Sequence, residues 1–319
     1  MALNTLLVGL GNIGLHLDPK GVYGNSHAGA IFANSELNLR AGVDPVRENR
    51  CLFSERYHAV SYEKIESIPR SHQFDLIVIA TPPQTHFEVF SKALGMKPRL
   101  IICEKPIFNG ISKGKDLLEK ASALGIKVAV PHWMRFNESF IEIKQQLAQH
   151  KFGHIKHVRY LYAKGILNSG THAIDLLQYL FGKVIGFEVV KSYPLDTGEI
   201  NVDALLQMDS NIKAHLHSIN YRDHFTTEID IIGTKKRFIN FPKDSLYQVI
   251  DGVLRLDTQF SSTVHDKVLM PFYEELINSF NNKRTMISSG DTALNAAEIA
   301  RNIYLDAVGV ANLNSKNSA

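Results

Sequence analysis

The residues able to do chemistry fall in a few short stretches. In TLLVGLGNIG, residues 5–14, Gly9, Gly11 and Gly14 follow an apolar run with GxGxxG spacing. A phosphate-cradling turn needs glycine at each place. The first permits a tight turn, the second lets backbone approach a pyrophosphate, and the third lets the next helix lie close to the strand. The N–H groups around Gly11, Asn12, Ile13 and Gly14 would then face the anion at a helix start. Glycines also end strands for turn geometry alone, so the spacing gains meaning from its place on the first strand of an alternating strand–helix array. The acidic partner of such a turn sits about 20 residues on, whereas Asp44 lies 30 residues after Gly14. The stretch HLDPKGVYGNS (16–26), with Pro19, Gly21 and Gly24, reads as an inserted loop that accounts for the delay. A carboxylate at Asp44 would accept hydrogen bonds from an adenosine ribose and repel a 2′-phosphate, which favours NAD. Arg47 keeps NADP open, and Asp44-Pro45 taken alone reads equally well as a turn closing a strand.

Two further strand ends carry reactive types. DLIVIA (75–80) runs through Ala80 into Thr81-Pro82-Pro83, with His86 just beyond, and RLIIC (99–103) runs into Glu104-Lys105-Pro106. Ligands of open α/β sheets lie at the carboxyl ends of strands. A charged pair at a buried strand end needs compensation, and Glu104 would hold Lys105 in its charged form. The structural alternatives are a helix cap at Thr81 and a surface ion pair at Glu104–Lys105. In HAIDLLQYLFG (172–182), His172 and Asp175 are three apart and share a helix face. Asp175 would orient the imidazole or bind a substrate hydroxyl; its structural role would be an early-helix carboxylate favoured by the dipole.

These residues need elements to position them. TLLVGL (5–10), LRAGV (39–43), DLIVIA, RLIIC and IKVAV (126–130) are short, β-branched and almost continuously apolar, as strands buried on both faces should be. HAGAIFANSE (27–36), THFEVFSKALG (85–95) and SKGKDLLEKASALG (112–125) read as helices, the last two stopped by a left-handed glycine cap. The alternation predicts an α/β protein with an N-terminal, doubly wound Rossmann dinucleotide-binding domain over 1–125. Beyond it, FIEIKQQLAQH (140–150) and HAIDLLQYLFG read as helices. VRYLYAK (158–164), KAHLHSINY (213–221), TEIDIIGT (227–234) and KRFINFP (236–242) alternate with period two. The expectation for 126–319 is an α+β domain on a large, open, mostly antiparallel sheet. Helices over 271–280 and 292–309 close the chain, the last one packing back on the first domain.

Bulk properties exclude several functions. The 319 residues carry a net charge of +3 with histidine neutral and no block of like charge, so neither nucleic acid nor an anionic membrane is an expected partner. Cys51 and Cys103 are the only cysteines; they form neither a disulfide framework nor a CxxC metal pattern. No apolar run is long enough to span a bilayer, and the glycine-broken first strand reads poorly as a signal peptide. A cytoplasmic location is expected. Among fourteen histidines, the pairs His154/His157 and His215/His217 have spacing that can bind metal. With no cysteine or carboxylate cluster beside them they read as solvated sheet positions, and no metal is expected.

Taken together, VGLGNIG (8–14), VDP (43–45), IATPPQTH (79–86), CEKPI (103–107) and GTHAIDLLQYLFG (170–182) resemble, in order and spacing, the glucose–fructose oxidoreductase, inositol dehydrogenase and rhizopine-catabolism (Gfo/Idh/MocA) family. The insertion after Gly14 is the exception, and the resemblance covers nearly the whole chain. It implies an NAD(P)-dependent oxidoreductase acting on a hydroxyl or keto carbon of a sugar or sugar derivative. It also implies a homodimer or homotetramer paired through the open sheet. The family's EKP lysine, which touches both nicotinamide and substrate hydroxyl, corresponds to Lys105, and its helix histidine to His172. Many members carry aspartate four residues before that histidine, where this chain has Asn168. Asn168 can hydrogen-bond but cannot hold a proton. Either it positions substrate while Lys105 and His172 exchange the proton, or transfer is impaired and the chain is a weakly catalytic cofactor-binding sensor or complex subunit. A third reading uses NAD transiently in glycosidic cleavage. The stretch YAKGILNSGTHAIDLL also resembles a subset linked to nucleotide sugars and surface polysaccharides. Trp133, in His132-Trp133-Met134-Arg135, walls a pocket or fills a hinge core. Lys164 meets a substrate anion or is a surface lysine. Tyr23 and His27 flank the insertion and could fold over the cofactor.

Overall fold

The structure, a computed structural model, describes residues 2–220, 222, 226–240, 244–258, 260 and 269–316, with the backbone alone over 310–316. The chain divides into two compact units, Met1–Phe136 with His265–Leu294, and Asn137–Val264 with Asn295–Ala319.

In chain order the first unit opens with β1 (Leu3–Val8), α1 (His27–Ala33), β2 (Leu37–Val43), α2 (Arg47–Tyr57), β3 (Val60–Tyr62), β4 (Leu76–Ile79), α3 (His86–Gly95), β5 (Leu100–Cys103), α4 (Ile111–Ala123) and β6 (Lys127–Ala129). The second contains α5 (Glu138–Ala148), β7 (Ile155–Tyr162), α6 (Ser169–Phe181), β8 (Val184–Pro194), β9 (Ile200–Met208), β10 (Lys213–Ser218), β11 (Glu228–Gly233), β12 (Lys236–Ile239), β13 (Ser245–Ile250) and β14 (Val253–Leu256). Two helices follow, α7 (Met270–Asn281) and α8 (Gly290–Lys316). The boundary between units passes through α8 after Leu294.

The first sheet is parallel, in the order β3-β2-β1-β4-β5-β6. Its central strands β4 and β5 are apolar throughout because each feeds two cores. Leu7, Leu76, Val78, Leu100 and Ile102 join one cluster with Phe53 and Tyr57 of α2 and Phe272 and Tyr273 of α7. Their neighbours Leu6, Val8, Ile77, Ile79, Ile101 and Cys103 join the other, with Phe90 of α3 and Leu117 and Leu118 of α4. Period-two geometry sends alternate residues to opposite faces. The strand order reverses direction between β1 and β4, which opens a crevice at the carboxyl ends of those strands. Because β6 is the sixth strand of this sheet, the first unit runs past residue 125 to Phe136.

Some local expectations need correcting. Gly95 lies inside α3, and the left-handed residue that follows is Lys97, with φ 51°. Gly125 does take a left-handed φ of 71° after α4. Helix α1 stops at Ala33 because β2 begins at Leu37, earlier than its apolar run suggests.

The second unit is an eight-stranded sheet in the order β14-β13-β12-β11-β7-β10-β9-β8. Only the β7–β10 pair is parallel. One face is dry, carrying Val158, Tyr160, Val202, Ala204, Leu206, Ala214, Leu216, Ile229 and Ile231. Phe140 of α5 meets Phe238 on that face with ring centroids 5.9 Å apart. The other face is half-exposed and mixed, with Ile155, His157, Arg159 and Leu161 on β7. The last two residues of the expected strand over 236–242 lie outside the described residues.

A buried tyrosine stitches this sheet across an intervening strand. The Tyr162 hydroxyl at the end of β7 donates to the Val202 carbonyl (2.8 Å) and accepts the Val202 N–H (3.0 Å) of β9. Tyr162→Phe leaves both buried backbone groups without that partner. It is expected to lower unfolding stability by about 1–3 kcal/mol, measured by urea titration with the slope unchanged.

Candidate active site

The glycine turn after β1 shows why each position is glycine. A Cβ on Gly9, whose φ is 96°, would stand 2.5 Å from the Ala80 carbonyl oxygen, and one on Gly14 would stand 2.1 Å from the Gly9 carbonyl oxygen. A Cβ on Gly11 would meet nothing within 4 Å. Backbone is thus pressed on backbone at the first and third positions, and open space lies over the second, the arrangement a dinucleotide pyrophosphate requires. The next residues form a five-residue π turn, Asn12–His16, in place of an α-helix. The N–H groups of such a first turn take their acceptors from outside it.

Asp44 at the end of β2 is 6% exposed. Its carboxylate accepts the Leu10 N–H at 2.7 Å, the Val46 N–H at 2.8 Å and the Asn49 amide at 3.2 Å. The delayed acidic residue therefore fastens the glycine turn itself. Three of about four acceptor places are filled, leaving room for a ribose hydroxyl. Arg50, which the sequence reading passed over, donates to the Asp44 and Pro45 carbonyls.

At the end of β5, Glu104 is held from two sides. Its Oε1 is 3.0 Å from His27 Nε2, and its Oε2 accepts the Lys105 N–H at 3.0 Å. His27 Nδ1 in turn lies 2.7 Å from the Tyr273 hydroxyl. Burial pushes the Glu104 carboxyl up, but the His27 bond and charge, the Lys105 N–H and the Lys105 charge bring it below the ordinary glutamate value. Burial raises the Tyr273 phenol and the Cys103 thiol, and the nearby Glu104 charge adds to both. His132, just past β6, is 3% exposed and is lowered to about 3 by burial, helped by the charges of Arg135 and Lys105. Arg135 donates to the Ile287 carbonyl.

His86 does not offer a nitrogen to a ligand. Its fully buried ring lies between two carbonyls, Pro106 at 2.9 Å and Thr81 at 2.8 Å. It clasps the loop after β4 to the loop after β5. Thr81 caps no helix; the Thr85 hydroxyl donates to its own. Ala80 supplies the carbonyl under Gly9, and exposed Pro82 opens a single 3₁₀ turn. Trp133 is 37% exposed on the 3₁₀ turn Trp133–Phe136.

In the second unit, the chain leaves β7 through Lys164, at φ 65°, and enters α6 with Asn168 as its N-cap residue. His172 and Asp175 follow within the helix, Asp175 buried and His172 half-buried. The Asn168 side chain makes no cap bond, while its carbonyl accepts the Thr171 hydroxyl at 2.6 Å. Two residues missed in the sequence shape this turn. Buried Asn201 accepts the Gly165 N–H, and Glu199 accepts the Leu167 N–H. Burial raises the Glu199 carboxyl above the usual range despite that N–H. Both precede or open β9, far along the chain, so no local pattern announces them. His157, His215 and His217 line up on the half-exposed sheet face with ring centroids 5.1 and 5.9 Å apart. Burial and the two neighbours lower His215. Among the described residues no group of three histidine, cysteine or acidic side chains is arranged to hold a metal.

The insertion after Gly14 is anchored by one carboxylate. Asp18, 1% exposed, accepts the N–H groups of Gly24, Asn25 and Ser26 and the Ser26 hydroxyl, at 2.7–3.2 Å. Ser26 then caps α1 by accepting the Gly29 N–H. Tyr23 and His27, which from the sequence could fold over a cofactor, do not stand free to do so. Instead Tyr23 packs on Phe32 and Tyr57, and His27 turns inward to Glu104. Asp18→Ala is expected to cost at least about 1.5–3 kcal/mol, the worth of a charge-assisted hydrogen bond. Hydrogen exchange over residues 16–26 should rise well ahead of the sheet.

Comparison with known proteins completes this picture. The profile described as "Oxidoreductase family, NAD-binding Rossmann fold" matches residues 3–132. The one described as "Oxidoreductase family, C-terminal alpha/beta domain" matches residues 144–308. An inositol 2-dehydrogenase of Rhizobium meliloti is 24% identical over 177 residues, 51% of this chain and 53% of the relative. The uncharacterized oxidoreductase YfiI of Bacillus subtilis is 29% identical over 147 residues, 43% of this chain and 37% of the relative. The aligned regions thus span about half or less of these curated relatives. Among solved structures, an oxidoreductase from Agrobacterium radiobacter in complex with NAD+, L-tartaric acid and magnesium superposes with TM-score 0.81 at 16% identity, covering 97% of each chain. The UDP-N-acetylglucosamine 3-dehydrogenase GnnA from Acidithiobacillus ferrooxidans gives TM-score 0.76 at 16% identity, covering 96% of this chain and 97% of that one. At such identities the superpositions speak for the fold. With both family profiles matched in order over nearly its whole length, on a glycine turn and strand order built for a dinucleotide, the chain belongs to the Gfo/Idh/MocA oxidoreductase family.

Proposed function

We propose that the chain is an NAD(P)-dependent dehydrogenase or reductase acting on a CH–OH carbon of a sugar, cyclitol or sugar derivative, with NAD preferred. The observation that carries this reading is the placement of Lys105 at the end of β5, on the same rim as the glycine turn after β1. The residues present fit the cofactor: open space lies over Gly11, and Asp44 keeps an acceptor place at the end of β2. When bound, nicotinamide supplies the hydride chemistry. The chain supplies orientation and proton handling. Lys105 takes or gives the hydroxyl proton, with Glu104 ionised beside it. His172 and Asp175 bind substrate hydroxyls, and Asn168 adds a neutral hydrogen bond. The inositol 2-dehydrogenase and UDP-N-acetylglucosamine 3-dehydrogenase relatives favour a polyol or a nucleotide-linked sugar. A second reading, a weakly catalytic cofactor-binding sensor or complex subunit, is favoured by Asn168 standing where an acid is common.

This reading extends to assembly and location. Second copies pair through the half-exposed sheet face carrying Ile155, Leu161, Leu205 and Ile232. The two free thiols, Cys51 and Cys103, support a cytoplasmic location.

The reaction is tested with myo-inositol, scyllo-inositol and UDP-N-acetylglucosamine as substrates, NAD+ and NADP+ as cofactors, and absorbance of the reduced nicotinamide as readout. Lys105→Met should lower turnover by at least ~100-fold, the lower end of what a positioned acid–base group contributes. Asp44→Ala should shift the NAD-to-NADP preference about tenfold towards NADP, the equivalent of one charge-assisted hydrogen bond. Full turnover in Lys105→Met would sink the dehydrogenase reading, and NAD+ binding without turnover of any such substrate would favour the sensor. Light scattering should return at least twice the 35.7 kDa of one chain; a monomer at every concentration would refute the pairing.

A further inference from the structure

We propose that His27 is a positioning residue for Lys105: braced by Tyr273, its imidazole holds the Glu104 carboxylate in place against the Lys105 backbone N–H. The assignment rests on the reading of Lys105 as the proton-handling group. It adds a residue on α1 and one on α7 to the machinery of a loop that neither helix touches in sequence.

The geometry is a continuous chain of three contacts. Tyr273 Oη to His27 Nδ1 is 2.7 Å, His27 Nε2 to Glu104 Oε1 is 3.0 Å, and the Lys105 N–H to Glu104 Oε2 is 3.0 Å. The donor inventory fixes its direction. An ionised carboxylate only accepts, so Nε2 must carry a proton and donate it to Glu104. With Nε2 protonated, Nδ1 accepts from the Tyr273 hydroxyl in the neutral ring and donates to it in the charged one, so the contact is made in either state. Every polar atom of this fully buried imidazole is thereby satisfied, and the rings meet edge-on at 80°. The opposite ring state would turn two acceptors on each other at Glu104.

A buried carboxylate with too few donors protonates instead of staying charged. Glu104 has a side-chain exposure of 12%. The groups that face it are His27 from α1, the adjoining Lys105, Cys103 on its own strand, His132 past β6 and Tyr273 from α7. Of these, His27 is the side chain bonded to it and the Lys105 N–H is the backbone donor. Removing the imidazole therefore removes the largest influence that opposes burial.

The consequence is a pH signature that packing alone does not give. In the native protein Glu104 ionises below the ordinary value of 4.5, so its contribution to stability is present above that pH and lost as pH falls through the folded value. In His27→Ala burial is less opposed, the folded value rises towards or past the unfolded one, and the stability that ionised Glu104 contributes at higher pH shrinks. The melting-temperature difference between the native protein and His27→Ala should widen by about 2–4 °C between pH 4.5 and 7.5. It should stay flat when both proteins also carry Glu104→Gln, and His27→Gln, which restores a donor to Oε1, should close most of it. A difference that is the same at every pH and in both backgrounds would show a packing role and overturn the assignment.

Should His27→Ala fail to fold, 15N-histidine NMR of the intact native chain decides. A protonated Nε2 on His27, with Tyr273→Phe moving the Nδ1 resonance, supports the chain of contacts; an unprotonated Nε2 overturns it. The two proposals fail separately. A flat stability difference with Lys105→Met inactive removes only the role of His27, whereas a pH-dependent difference with Lys105→Met fully active removes the reaction it serves.

Discussion

At the turn after β1, two stretches of backbone lie so close that no side chain fits between them. Gly9 rests on the Ala80 carbonyl and Gly14 on the carbonyl of Gly9. That contact exists because the order β3-β2-β1-β4-β5-β6 sets β1 beside β4, whose end is Ala80. The same order puts the ends of β2 and β5 on the same rim, and with them Asp44 and the Glu104-Lys105-Pro106 loop. Close backbone contact at Gly9 and Gly14 leaves half-buried Gly11 with open space beside it, where an extended anion can lie against N–H groups.

The rim's loops are irregular, so regular hydrogen bonding cannot hold them. Three buried or part-buried carboxylates do so instead, each through N–H donors. Asp18 closes the inserted loop, Asp44 fastens the glycine turn through Leu10, and Glu104 grips Lys105. A hydrogen bond to an ionised group is worth about 1.5–3 kcal/mol, and its buried acceptor becomes a liability once the donors are removed. His86 works in the same way with a ring, joining the loops after β4 and β5. The first unit thus spends its buried charge on loop geometry at the edge where chemistry belongs.

Much of this was legible in the sequence where spacing is short. The glycine turn, the late Asp44, the loop that delays it and the alternating strands and helices follow from local pattern. What stayed hidden spans distance. His27 meets Glu104 across 77 positions and Tyr273 across 246, so no window of sequence contains the relay. Helix α2 was passed over because only Phe53 and Tyr57 of its eleven residues are buried, too few to show a period. Strands β8, β9, β13 and β14 were not read either; on β8 and β14 no residue is fully buried, so alternation is blurred there. The loop between His16 and His27 lies where Pro19, Gly21 and Gly24 suggest, but its fold depends on Asp18, whose role is set by three N–H groups that turn towards it.

The claim that a dinucleotide lies on this rim is open to one direct measurement. The protein labelled with 15N-glycine is titrated with NAD+ and its amide shifts are followed. Saturable shifts at Gly9, Gly11 and Gly14, with Gly186 and Gly233 of the second sheet unmoved, are the predicted outcome. Unchanged shifts at all three turn glycines at saturating NAD+ and NADP+ would contradict the account.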